Sequence, residues 1–304
     1  MKISPLFSVI IPTYNRAAFI TRTVNSVLNQ TYKSFEIIIA DDGSTDNTEN
    51  ILQPLVKQYP NIFYFKKKNE ERGAARNFGT AHAKGDYVTF LDSDDIFYPD
   101  ALDEAMRVIS QHHFPEVFHV AFELVTPEGV LIKKYNKIRG ELNVHLLKKG
   151  NSLGCMGVFI KKEIALRNLF IEDRELAGSE DYELWLRLAA RYTIHYSNKI
   201  TSALIQHRQR SVFSQVDKHT LINRVQKFLW YINHNEAFQK KYPGYNDRIK
   251  SINYCYLALH LAISAHRKES IYYLLQAVKE RPSIMFTRNF FAVLKYIPGF
   301  HRAK

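Results

Sequence analysis

The chain has 304 residues, 46% of them apolar and 24% charged, and a formal charge of +12. That length and composition support a substantial core and exclude an intrinsically disordered or low-complexity protein. Two cysteines far apart in the chain, Cys155 and Cys255, exclude a disulfide framework and a zinc knuckle, and no apolar run approaches the ~18 residues of a membrane span, so a reduced, cytoplasmic protein is expected.

Phe7 to Ile11 (FSVII) reads as a buried strand, Ala17 to Leu28 as a helix, Phe35 to Ala40 (FEIIIA) as a second strand and Asn47 to Tyr59 as a second helix. Ile62 to Phe65 is a third strand, Gly73 to Ala83 a helix, and Tyr87 to Leu91 (YVTFL) a fourth strand. This alternation predicts an α/β fold: a Rossmann-like, mostly parallel sheet flanked by helices. From Pro99 a helix runs to about Gln111, with Pro99 in its first position and Tyr98 as its cap. Val117 to Val125, a turn at 126–129 and a strand to about Tyr135 read as an antiparallel extension. Cys155 to Ile160 is a further strand and Ser179 to Arg191 a helix, and from about Asp217 the pattern is helical almost to the end. Two domains are expected, 1–212 and a basic α-helical C-terminal region, 213–304.

The charge is placed unevenly. Residues 1–200 carry 25 Lys/Arg and 25 Asp/Glu, whereas residues 201–304 carry 17 and 5. A basic region rich in Tyr and Phe suits peripheral contact with an anionic membrane, or is a solvated basic helical face. A nucleic-acid-binding protein would also use such a region, but the first 200 residues are charge-neutral and offer no reading module, so no nucleic-acid partner is expected.

In a parallel α/β sheet the ligand crevice lies beyond the carboxyl ends of the strands. Here every one of the first four strands ends in polar residues: TYNR, DDGSTDN, KKKNEERG and DSDD. Asp92, Asp94 and Asp95 crowd like charge into four positions, and they precede the next helix by too much to cap it, so they read as facing a divalent cation, Mg2+ or Mn2+ rather than zinc. In DDGSTDNTEN the alternation resembles a calcium loop, but Asn47 stands where that loop needs Gly and Gln53 where it needs Glu. Asp41 and Asp42 at a strand end suit a base or ribose edge, while Asp46 or Thr45 caps the following helix and Gly43 makes the turn. Arg72 and Arg76, four apart, would clamp a phosphate or form salt bridges. Glu180 and Asp181 open a helix, where acids complement the macrodipole or, in a dry cleft, act as a general base. His207 and Arg210 lie in a basic segment that reaches toward a diphosphate or is a solvated loop.

Taken together and in this order, FSVIIPTYNR, DDGSTDNT, ERGAARNFG, YVTFLDSDD and GSEDYELWLRL resemble the family 2 glycosyltransferases of GT-A fold, over roughly residues 5–212. The resemblance implies an inverting transferase that uses a nucleotide-diphospho-sugar donor, with UDP the expected nucleotide, and Mn2+ or Mg2+. It implies a saccharide or lipid-linked acceptor, as in surface polysaccharide assembly. Carried onto this chain, Pro12, Thr13, Tyr14, Asn15, Asp41 and Asp42 would line the nucleoside site and Arg76 would approach the diphosphate. Asp92, Ser93 and Asp94 match the family's D-x-D, with Asp92 and Asp94 reaching ribose and metal. Asp181 would be the catalytic base, supported by Glu180, and His207 would contact metal or phosphate. Many members carry Arg-x-His-x-x-Ser where this chain reads His207-Arg208-Gln209-Arg210. A nucleotidyltransferase would share the acids and the metal, but it wants a Gly-rich phosphate loop where this chain has PTYNR.

Overall fold

The computed structural model describes residues 4–207 and 217–297. Strand β1 (Phe7–Thr13) is buried throughout and leads through α1 (Ile20–Leu28) to the equally buried β2 (Phe35–Asp41), α2 (Thr48–Gln58) and β3 (Ile62–Lys66). Helix α3 (Glu71–His82) crosses to β4 (Tyr87–Phe90), followed by the short β5 (Ile96–Phe97) and α4 (Ala101–Gln111). Next come β6 (Val117–Val125), β7 (Leu131–Tyr135), α5 (Leu142–Lys149), β8 (Val158–Lys161), α6 (Lys162–Arg167), α7 (Glu180–Ala189) and β9 (Ile194–Ile205). The C-terminal helices are α8 (Lys218–Asn233), α9 (Glu236–Lys241), α10 (Asn246–Ile263), α11 (Arg267–Glu280) and α12 (Arg288–Tyr296).

Among the described residues nine strands form one sheet, ordered β3-β2-β1-β4-β8-β6-β9-β5 with β7 on β6. The expected α/β sheet flanked by helices is present. It is parallel across β3, β2, β1 and β4. Beyond β4 it is mixed: β8 runs antiparallel to β4 and β6, and β9 is parallel to β6 and antiparallel to β5. Alternate residues of the parallel strands feed two layers. Val9, Ile11, Ile37 and Ile39 pack with α1 and α4, whereas Ile10 and Ile38 face the layer that contains α5 to α7. The C-terminal helices share that second layer: Tyr182 of α7 stacks on Phe228 of α8 with centroids 5.0 Å apart. Each fully buried side chain of this size contributes about 1.5–3 kcal/mol.

Several boundaries differ from those read off the sequence. The first helix begins at Ile20 rather than Ala17, because Asn15 adopts φ 51° and Arg16 N donates to Thr48 Oγ1 at 3.0 Å, which holds the segment as a loop. Cys155–Gly157 forms a 3-10 turn ahead of β8 instead of strand. The fourth helix begins at Ala101 with Asp100, not Tyr98, at its cap, so the Asp92 to Asp95 cluster lies still further from any capping role. The twelve-residue β9 was not anticipated, since Ser197-Asn198-Lys199 interrupts its apolar pattern; its pairing with β6 shifts register over the same stretch. Among the described residues no helix is long and apolar enough to cross a membrane. Arg210 and the expected 212/213 domain boundary lie outside the described residues.

Candidate active site

The site lies beyond the carboxyl ends of β1, β2 and β4, which the parallel register brings together: Thr13 is opposite Asp41, and Asp42 N donates to Thr13 O at 2.8 Å. Pro12 and Thr13 are buried, Thr13 Oγ1 without a hydrogen-bond partner among the described residues, while the Tyr14 ring is exposed. Asn15 braces the next loop, its Oδ1 accepting from Thr45 N at 2.8 Å and Asp46 N at 3.2 Å. Gly43, at φ 83°, makes the turn.

Asp41 and Asp42 are both buried and hydrogen-bonded within the protein. Asp41 accepts from Ser44 N at 2.7 Å and from the Tyr64 hydroxyl at 2.5 Å. Burial, then the bond to Asp41, hold the Tyr64 phenol well above its ordinary value. Asp42 accepts from Glu70 N at 3.0 Å and Glu71 N at 2.9 Å, so it satisfies the orphan amides that open α3, and it pairs with Lys67 Nζ at 3.1 Å.

The three aspartates after β4 diverge to different partners. Asp95, fully buried, accepts from Ile205 N at 2.9 Å and so pins the end of β9. Asp94 Oδ2 lies 3.0 Å from His207 Nε2 and 3.9 Å from Arg16 Nε. The His207 ring stacks on Phe19 at 4.4 Å, and its Nδ1 is buried without a partner among the described residues. Asp92 Oδ1 accepts from Arg76 Nη2 at 2.8 Å. Ser93 is buried in the turn between them, closed by Asp95 N to Asp92 O at 3.0 Å.

Arg76, only 2% exposed, is a strut between two acids. Its Nη2 holds Asp92 and its Nη1 holds Glu180 Oε1, each at 2.8 Å, and its guanidinium lies 5.2 Å from the Phe170 ring centroid. Glu180 Oε2 accepts from Gly178 N at 2.5 Å. Burial raises the Glu180 pKa, but Arg72 and Arg76 outweigh it and hold the carboxylate below its ordinary value. The neighbouring Asp181 behaves oppositely: burial and the Glu180 charge push it up to about 6, despite Arg76 and hydrogen bonds from Asn151 Nδ2 at 3.1 Å and Tyr182 N at 2.6 Å. Two adjacent carboxyls with pKa values pushed apart divide into a permanent anion and a group able to exchange protons near neutrality.

Among the described residues no three His, Cys, Asp or Glu side chains are grouped to hold a metal ion. The Asp94–His207 pair, with both side chains 8% exposed, offers one hard oxygen and one imidazole. That donor set fits a divalent ion of the Mg2+ or Mn2+ type, which commonly takes one or two protein ligands and completes its shell with substrate phosphate and water.

The model of glycosyl transferase family 2 matches residues 8–161, half of the chain. The chain belongs to that family. It is 28% identical over 266 residues to an uncharacterized glycosyltransferase of Haemophilus influenzae, covering 87% of this chain and 99% of that one. Among four Rickettsia glycosyltransferases it spans 71% of the length of one but 31% to 38% of the other three. Its fold is similar to that of S. aureus TarS 1–349 in complex with UDP-GlcNAc (TM-score 0.65, 18% identity, 91% and 92% of the two chains). It is also similar to that of the mannosyltransferase PcManGT from Pyrobaculum calidifontis in complex with GDP-Man and Mn2+ (0.59, 18%, 96% and 86%).

As a family 2 chain it has site neighbours that its motifs did not single out. Tyr64 on Asp41, Phe19 against His207 and Asn151 on Asp181 were missed. Arg16 stood in view within TYNR, directly behind a strand, whereas Asn151 lies in a stretch with no local signal.

Proposed function

We propose that the protein is an inverting glycosyltransferase that moves one sugar from a nucleotide-diphospho-sugar, UDP-linked, to a saccharide or lipid-linked acceptor in surface polysaccharide assembly. One observation carries this reading: Asp181, with its pKa lifted to about 6, adjoins Glu180, from which the Arg76 strut leads to Asp92 in the acid turn beside Asp94 and His207. Asp181 accepts the proton of the acceptor hydroxyl while that oxygen attacks the anomeric carbon from the face opposite the nucleotide. The bond from that carbon to the diphosphate breaks, the glycosidic bond forms, and the centre inverts in one displacement. Glu180 stays ionised and, through Arg76, fixes the positions of Asp181 and Asp92. Tyr14 provides an exposed ring for the base, and Pro12, Thr13 and the loop braced by Asn15, Asp41 and Asp42 form the nucleoside wall. Asp94 and His207 would hold the Mn2+ or Mg2+, which when bound neutralises charge on the departing diphosphate.

A donor-hydrolysis screen of nucleotide sugars with Mn2+ and with Mg2+, run beside Asp94→Ala and Asp181→Ala, tests the reading. Asp94→Ala should lose metal-dependent donor binding, and Asp181→Ala should keep donor affinity and lose transfer. Normal turnover by Asp181→Ala refutes the assignment of the base.

The exposed Ile271, Tyr272, Leu275, Phe286 and Phe291 on α11, α12 and their connection, among Lys268, Lys279, Arg288 and Lys295, favour a peripheral seat on an anionic membrane. Equal partition onto neutral and anionic liposomes at low salt would remove that support.

A further inference from the structure

Arg224, in α8, is a buried cation without a counter-ion among the described residues. It is 5% exposed, its Nε is closed off from solvent with no hydrogen-bond partner, and its guanidinium makes no hydrogen bond or ion pair among the described residues. The other inward arginines are matched: Arg76 by Asp92 and Glu180, Arg187 by Glu183 and by Leu169 O. Arginine does not shed its proton to escape burial, so the unpartnered Nε is a penalty on the fold, whereas Nη1 and Nη2 are not closed off and stay open to an anion. Such a penalty is relieved when an anion arrives.

The place of Arg224 says which anion. Its guanidinium lies against Gly178, where an added Cβ would stand 2.8 Å from Nη1 and 3.3 Å from Cζ. Gly178 holds Glu180 through its N–H and lies three residues before Asp181. Tyr256 and His260 of α10, their rings 4.3 Å apart, lie close enough to feel the Arg224 charge. Burial and then the Arg224 charge lower the His260 pKa. Tyr256 feels both centres: burial raises its pKa, Arg224 lowers it and Asp181 raises it. Helix α10 also closes on the loop that carries Asn151, since a Cβ on Gly150 would stand 3.2 Å from Ile252 Cγ2, and Ser152 Oγ in that loop is buried without a partner among the described residues. Gly178 and Glu180 therefore link Arg224 to the Arg76 strut, and Tyr256 lies within reach of both the Arg224 and the Asp181 charges.

We propose that Arg224 anchors the acceptor, and that the acceptor carries an anionic group, a carboxylate or a phosphate, close to the hydroxyl that is glycosylated. The guanidinium fork matches either group with two parallel hydrogen bonds, which a neutral sugar cannot supply. The inference rests on Asp181 being the base of the reaction.

The test uses the full chain with Mn2+ and saturating UDP, so that added anions do not read out through the donor site. Glucuronate and inorganic phosphate, in separate titrations against glucose as the neutral control, should raise the melting temperature of the wild type; the stronger of the two identifies the source. Arg224→Met should lose that anion-dependent rise, and without anion it should melt at or above the wild-type temperature. Arg224→Lys should keep part of the rise. In transfer assays, charged acceptors should exceed their carboxyl-reduced or dephosphorylated counterparts by about 10- to 100-fold in kcat/KM, and Arg224→Gln should bring that ratio close to one. No rise in the wild type, an equal rise in Arg224→Met, or a marked fall in the melting temperature of that variant without anion overturns the proposal. Donor hydrolysis by the wild type separates the two readings: its absence sinks the glycosyltransferase, while hydrolysis without any anion effect sinks only the anchor.

Discussion

Replacing Asp181 by Asn should abolish transfer and stabilise the protein, and both effects follow from one cause. Folding lifts this carboxyl from 3.8 to about 6, chiefly through burial and next through the Glu180 charge. The folded protein thus binds the proton more tightly than the unfolded chain does. The stability this group contributes is complete below pH 3.8 and is lost as pH rises through about 6; above that, an ionised Asp181 weighs against the fold. A shift of about two units corresponds to roughly 3 kcal/mol, and partial exposure together with the charge shared with Glu180 reduces the working figure to about 1–2 kcal/mol. Asn keeps the shape and removes the charge. At pH 8 Asp181→Asn should therefore melt about 2–5 °C above the wild type, while its transfer rate falls by about 10²- to 10⁴-fold. The wild-type rate should drop about tenfold per pH unit below pH 6, as the base becomes protonated. Melting curves at pH 4.5 and pH 8 beside a pH–rate profile check this. A variant that melts no higher than the wild type at pH 8, or a wild-type rate that stays flat from pH 7 to pH 5, would refute the account of Asp181.

Asp94→Asn should weaken metal-supported binding of UDP by about 10-fold or more, because a charge-assisted contact is lost, and calorimetry with and without Mn2+ measures this. Arg76→Met leaves Asp92 without its 2.8 Å partner and Glu180 buried beside Arg72 alone, so it should destabilise the fold by about 3–5 kcal/mol in urea unfolding. Gly157→Ala would place a Cβ 2.3 Å from Val120 O and 2.6 Å from His119 Nε2, where backbone has to move; a loss of about 1–3 kcal/mol is expected in the same assay.

The sheet was legible because FSVII, FEIIIA and YVTFL are apolar runs of strand length that end in polar clusters, and the order of those clusters identified the family. Strand β9 was not legible, since its polar middle breaks the two-residue period and only the irregular pairing with β6 accommodates it. Within the candidate site, the positions of the acids were easier to read than their state. The sequence offers Glu180 and Asp181 as equivalent acids at a helix start, and the opposite directions of their pKa shifts depend on burial, on Arg72 and on Arg76, whose bond to Glu180 spans 104 positions of chain. Arg224 was hidden for the opposite reason: in a region with 17 basic residues, one more attracts no notice until burial singles it out.

The Arg76 strut also bears on how the enzyme could be redesigned. Because one guanidinium grips Asp92 and Glu180, a substitution in the DSDD turn would be transmitted to Glu180 beside the proposed base Asp181, and libraries aimed there should return mostly dead variants. The exposed Tyr14 ring and the segment around Asn151 stand outside that strut. Altered sugar or acceptor preference is better sought at those two margins, with the strut left as it is.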